Sequence, residues 1–139
     1  MKAIITLLAL TFSVAIIAQT ENVWIGGTIG HESDWHTARN WSEGNVPDED
    51  SFVVINFQNS GHNSQPIIEG EAVAAAVEVR TNGQLTINDS AQLVINGEDV
   101  YSEGISLYGG RLVNEGALYI QHVESQISFS DLSKYSGNG

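Results

Sequence analysis

The chain has no cysteine. That absence excludes a disulfide framework and any lipid attached through a thiol near the start. A small protein without such bridges must take its stability from packing and backbone hydrogen bonds, and a repetitive stack of paired strands supplies both. Basic residues are also scarce: five Lys and Arg stand against seventeen Asp and Glu, for a net charge of −12. Such a balance repels nucleic acid and anionic membrane and favours solubility, without identifying a partner. Long apolar runs are missing after the first eighteen residues, so nothing later in the sequence has the length of a membrane-spanning helix. Catalytic signatures are missing as well. There is no G-x-S-x-G elbow, no H-E-x-x-H and no phosphate-binding glycine loop before a helix.

What is present begins with MKAIITLLALTFSVAIIAQ: one lysine, an apolar run from Ala3 to about Ala18, then Gln19. That is the layout of a secretory signal peptide over residues 1–18, with cleavage expected after Ala18. Lys2 would leave with it, so the mature chain keeps Arg39, Arg80, Arg111 and Lys134 as its only basic side chains apart from histidine. The remainder suits one domain. It divides into an N-terminal cap segment (19–50), strand repeats (51–130) and a flexible polar tail (131–139).

Within the cap segment, VWIG at 23–26 reads as a short strand. SDWHTARNW at 33–41 reads as one or two helical turns, with Ser33 or Asp34 at the start and Asn40 closing them. FVVINF at 52–57 reads as a strand flanked by Asp and Asn. From Pro66 the pattern changes to a loose repeat: a glycine or small residue, then apolar residues two places apart. It recurs as NGQLTI, SAQLVI, EGISLY, GGRLVN and EGALYI between residues 82 and 120. Alternation puts Leu85, Ile87, Leu93, Ile95, Ile105, Leu107, Leu112, Leu118 and Ile120 on an inner face, with Thr86, Val94, Ser106 and Tyr119 outside. In AVAAAVEV, the residues Val73, Ala75, Val77 and Val79 alternate in the same sense. The uneven spacing of the leucines argues against a strict hexapeptide repeat. It suits an all-β solenoid, a short right-handed parallel β-helix with a tryptophan-rich cap. An antiparallel β-sandwich remains open, because Asn-Gly at 82–83 and 96–97 is also a hairpin signal.

The string W-x-G-G…W-x-x-A-x-N-W-S-x-G-x-V-P-x-x-D…V-x-I here comprises Trp24, Gly26, Gly27, Trp35, Ala38, Asn40, Trp41, Ser42, Gly44, Val46, Pro47, Asp50, Val53 and Ile55. It resembles the opening of large secreted surface and adhesin proteins of the Bacteroidetes type. The GxLxI units that follow resemble the coils of a pectin-lyase-like right-handed parallel β-helix. The resemblance implies extracellular or cell-surface display, with the tryptophan-rich opening as a cap or first coil. It does not imply an enzyme. Relatives of that kind carry a C-terminal sorting domain, whereas this sequence ends in SDLSKYSGNG, which suggests a short member or a fragment of a larger surface protein.

The residues offer two uses for the aromatic set. Trp35 and Trp41, with Asn40 and Pro47 shaping the turns around them, can seal the end of a solenoid. Exposed, Trp24, Trp35, Trp41 and Tyr108 would instead stack on sugar rings, with Tyr101 and Tyr119 as further aromatics. Asp48, Glu49 and Asp50 are a candidate calcium-binding loop, yet they lack the alternating spacing that wraps the ion; no other cofactor is implied. Asn40-Trp41-Ser42 and Asn88-Asp89-Ser90 match the glycosylation acceptor pattern. His31, His36, His62 and His122 and the four basic residues form no recognisable group with carboxylates, so no catalytic residue is assigned. The expectation is a secreted, non-catalytic structural or adhesion module. A carbohydrate-binding module is the alternative, and a polysaccharide lyase or hydrolase fragment ranks behind both. Partners would be a glycan, a cell-surface protein, or a second copy met through the C-terminal edge of the solenoid.

Overall fold

The computed structural model describes residues 20–57, 64–97, 104–121, 126–129 and 134–137. The expected leader, Gln19, His62, Tyr101, His122 and the pair Glu98 and Asp99, a weaker calcium candidate in the sequence than Asp48 to Asp50, lie outside them. The strands are β1 (Thr20–Val23), β2 (Ser51–Ile55), β3 (Ile67–Ile68), β4 (Glu71–Ala74), β5 (Ala76–Arg80), β6 (Gln84–Ile87), β7 (Gln92–Ile95), β8 (Gly104–Tyr108), β9 (Arg111–Asn114), β10 (Ala117–Ile120), β11 (Gln126–Phe129) and β12 (Lys134–Gly137). They form three sheets, ordered β1-β2-β5-β8-β11, β12-β9-β6-β3 and β10-β7-β4. Every ladder between these strands is parallel. From β2 onward the chain visits the three sheets in rotation, so each strand pairs with the one directly above or below it in the stack. This is a parallel β-solenoid, and it replaces the antiparallel sandwich.

Asn82 shows why the hairpin signal misleads. Its φ of 62° turns the chain out of β5. The next strand, β6, enters the neighbouring sheet and does not fold back on β5. An Asn-Gly pair supplies a left-handed corner as readily as a hairpin tip.

Register stacks like on like. Val53, Val77 and Ile105 form one inner column, and Ile55, Val79 and Leu107 form the next. The second sheet adds Leu85 over Leu112, and the third adds Ala72, Leu93 and Leu118 beside Ala74, Ile95 and Ile120. Leu85, Ile87, Leu93, Ile95, Ile105, Leu107 and Leu112 are fully buried, while Leu118 and Ile120 pack against the core with part of their surface open. Each fully buried aliphatic side chain contributes about 1.5–3 kcal/mol.

The small residue before each strand also has a physical reason. A Cβ on Gly110 would lie 2.4 Å from the Val79 carbonyl oxygen, and one on Gly116 2.3 Å from that of Ala91. At these corners one coil rests directly on the backbone of the previous one.

Four local expectations change. The alternation through AVAAAVEV breaks at Ala75, where the chain turns from β4 to β5. Ala72 and Ala74 face in before the corner, and Ala75, Val77 and Val79 are buried after it. The first strand is β1, which ends at Val23, and Trp24 continues it as a single bridge to Trp41. The helical turns at 33–41 reduce to one 3-10 turn, Ala38–Asn40. The polar tail contributes a strand, because β12 pairs with β9 through Lys134–Arg111 and Tyr135–Leu112.

Candidate functional site

The segment with the densest chemistry, 22–51, forms an incomplete first coil over the stack. β1 lies on β2. Asp34 makes a parallel bridge to Ile67, with Ile67 N–H donating to the Ser33 carbonyl and Trp35 N–H donating to that of Ile67. The side chains that point down from this coil are therefore the lid on the apolar columns below.

Three indoles make the lid. Trp24 and Trp35 are fully buried and Trp41 is 2 % exposed. Trp41 stands between the others, edge to face, with ring centroids 4.9 Å from Trp24 and 4.7 Å from Trp35. Such pairs contribute about 0.5–1.5 kcal/mol beyond their buried area. Trp41 Nε1 donates to the Trp35 carbonyl at 2.7 Å, and Trp24 Nε1 donates to that of Ser64 at 2.8 Å. Among the described residues Trp35 Nε1, which is buried, has no hydrogen-bond partner. None of the three rings offers a face to a sugar.

Asn40 ties the lid together. It is fully buried; its Oδ1 accepts from the Thr28 amide, and its Nδ2 donates to the carbonyls of His31 and Asp34. Its own carbonyl accepts from the amides of Ile25 and Gly26. An acceptor site for a glycan needs an open side-chain amide, so the Asn40-Trp41-Ser42 match has no accessible acceptor in the folded chain. Asn88, in the other match, lies in a turn with its Nδ2 donating to Glu69 at 3.2 Å.

Ser42 stood out in the opening string, whereas Asn22 did not. The Ser42 hydroxyl accepts from the Val23 amide while the Ser42 amide donates to the Val23 carbonyl, so this serine pins the end of β1. Asn22, 2 % exposed, points inward; its Nδ2 donates to the Asn45 carbonyl and its Oδ1 accepts from the Glu43 amide. The only advance signal for Asn22 was a polar residue two places before Trp24. Val46 packs against the core and Pro47 is buried, and Pro47 lacks an amide that could join a ladder.

Asp34 caps the turn that precedes Asn40. One of its oxygens accepts from the His36 amide at 2.8 Å and the other from the Thr37 hydroxyl at 2.8 Å. Burial opposes ionisation of Asp34. The Thr37 and His36 hydrogen bonds and the nearby His36 and His31 outweigh that and hold the carboxyl below its ordinary range.

Asp48, Glu49 and Asp50 are exposed, and they do not converge. The Asp48 carboxylate accepts from the Ser51 hydroxyl at 2.7 Å and from the Asp50 amide at 3.2 Å, which makes it a turn-former at the entry to β2. Among the described residues no group of three His, Cys, Asp or Glu side chains is placed to hold a metal ion. Tyr108 and Tyr119 are 47 % and 53 % exposed, but they lie on β8 and β10 in different sheets and form no common platform. Among the described residues no helix is long and apolar enough to cross a membrane.

Residues 23–126 match the model of a family described as a domain of unknown function, DUF8693. The match starts where β1 ends and reaches the first residue of β11, so it takes in the whole tryptophan lid. No curated protein and no solved structure matches the chain.

Proposed function

We propose that this chain, which belongs to the DUF8693 family, is a non-catalytic structural or adhesion module of the cell exterior, exported by cleavage after Ala18. The observation that carries the reading is the sealed lid. The three tryptophans and Asn40 are buried, and Ser42, Asp34 and Asp48 are hydrogen-bonded within the fold. An acidic stack of coils without cysteine suits a soluble scaffold outside the cell. The coils wind right-handed, as parallel strand–crossover–strand units do in nearly all folds. Mass measurement on fractions of the producing cell tests the reading: a mature chain beginning at Gln19 outside the cytoplasm supports it, and a cytoplasmic chain that keeps Met1 ends it.

A second reading, a carbohydrate contact, is favoured by the exposed ring of Tyr108 on the outer face of β8. It runs through that tyrosine and not through the tryptophans. A glycan array compared with one probed by Tyr108→Ala distinguishes it from the purely structural reading.

A further inference from the structure

The two ends of the stack are unlike. At the start, Ser42 and Glu43 bond back onto β1, and the three indoles of the lid are buried, so the core is closed there. At the other end, β10, β11 and β12 are each the outermost strand of their sheets, and none of the described strands pairs with their outer edges. Leu118 and Ile120 of β10 are partly open, while Leu93 and Ile95, in register one rung back, are fully buried. The Ala117 and Gln121 amides donate back to the carbonyls of Ala91 and Ile95. Backbone amides alternate sides along a strand, so those of Leu118 and Ile120 face the open edge. Ser136 and Gly137 on β12 are exposed as well.

The three open edges follow one another in the chain, one in each sheet. A full coil advances one rung, about 4.8 Å, so the end is a shallow ramp with β10 lowest, β11 between and β12 highest. A second copy turned over about a two-fold axis through β11 presents the same ramp inverted. Its β12 then meets the low β10, its β10 meets the high β12, and its β11 meets β11. Turning the copy over reverses strand direction, so all three new ladders run antiparallel. An axis through β10 would drive β11 into the copy's β12. An axis through β12 would leave β10 and β11 a rung apart from the copy.

We propose that the protein forms a closed two-fold dimer through this end, β11 against β11 and β10 against β12. The contact carries all three sheets across the axis, covers Leu118 and Ile120, and gives their amides partners. Head-to-tail growth has no matching surface, because the lid closes the core and Ser42 occupies the end of β1. A two-fold contact uses the same face on both copies and therefore stops at two. The acidic charge of both copies opposes the contact, so the dimer is weak at low salt and tightens as salt screens that charge. The proposal gives the expected contact between copies its strands and its symmetry. It goes beyond the structural reading above and holds whether or not the chain is exported.

The test joins analytical ultracentrifugation of the purified chain, over a range of concentration and salt, with cross-linking. A sedimenting mass that doubles with concentration, and doubles sooner at higher salt, is expected. The chain has no cysteine, so a single introduced one reports its own neighbourhood. Under mild oxidation Ser128→Cys on β11 should form a disulfide with its own copy. Tyr119→Cys on β10 should not, yet mixed with Ser136→Cys on β12 it should give a mixed disulfide. Thr86→Cys, in the middle of the stack, should stay uncrosslinked. Hydrogen exchange at Leu118 and Ile120 should slow about tenfold between a mostly monomeric and a mostly dimeric sample. A mass of one copy at every concentration overturns the proposal. Amides of Leu118 and Ile120 as protected as those of β7 in dilute solution also overturn it, because another segment then covers the edge. Masses growing past two copies overturn the closed contact. A dimer that fails to cross-link through Ser128→Cys, or in which Tyr119→Cys joins itself, overturns the axis through β11.

Discussion

At Asn40, three hydrogen bonds of one side chain and two of its carbonyl meet inside the lid. Asn40→Asp keeps the shape but replaces the donating nitrogen with oxygen, so the carbonyls of His31 and Asp34 lose their partner and a charge is buried. At about 1–3 kcal/mol for each unsatisfied group, the cost should be at least roughly 3 kcal/mol at neutral pH, read from urea unfolding. Trp41→Ala removes the ring that touches both other indoles and should cost about 3–5 kcal/mol, seen as a lower Tm. A Trp41→Ala protein with unchanged Tm and lost glycan binding would reverse the assignment of that residue. Asp34 supplies a pH dependence. Its folded pKa lies below the unfolded one, so its contribution is complete above the ordinary carboxylate range. It is lost as pH falls through the folded value. Asp34→Asn should therefore flatten the acid side of a plot of Tm against pH, below about pH 4.

Strands in this fold are stabilised by what lies above and below them, and a single column shows it. Leu93 in β7 has Ala72 on one side and Leu118 on the other. Leu118 in β10 has Leu93 on one side, and none of the described strands pairs with β10 on its other side. Leu93→Ala should cost about 2–5 kcal/mol and Leu118→Ala clearly less, although the two residues have the same inward phase. Conservative change at outward Thr86 should cost under about 0.5 kcal/mol. At the corners the constraint is steric. Gly116→Ala places a methyl group 2.3 Å from one carbonyl oxygen and 2.4 Å from another, those of Ala91 and Asn88. It should destabilise by more than the same substitution at Gly44, where nothing lies within 4 Å of the added carbon but φ is positive.

Over the whole molecule, stability should grade along the stack. A solenoid is held by contacts between neighbouring coils, so the ends open before the middle. The N-terminal end carries the indole lid, while β10 leaves Leu118 and Ile120 partly open. Native-state hydrogen exchange should therefore protect β5, β6 and β7 most and β10 less. Equal protection in β7 and β10 would show that something further covers that edge. Added salt should raise Tm modestly, since it screens the mutual repulsion of an acidic chain.

The sequence by itself determined the strand class, the inner faces and the need for small residues before strands, because these depend on period-two alternation and on the volume of one side chain. Leu85, Ile87, Leu93 and Ile95 were readable in this way. Parallel pairing was decided only in three dimensions. Local residues encode a turn, but whether Asn82 returns the chain to its own sheet or passes it to the next depends on which distant strand is there to accept its hydrogen bonds. The same holds for the break at Ala75, which an unbroken apolar run conceals, and for β12, whose polar residues form a strand because β9 offers them an edge. In the lid, the sequence announced three tryptophans and an asparagine, while burial decided that they hold the fold.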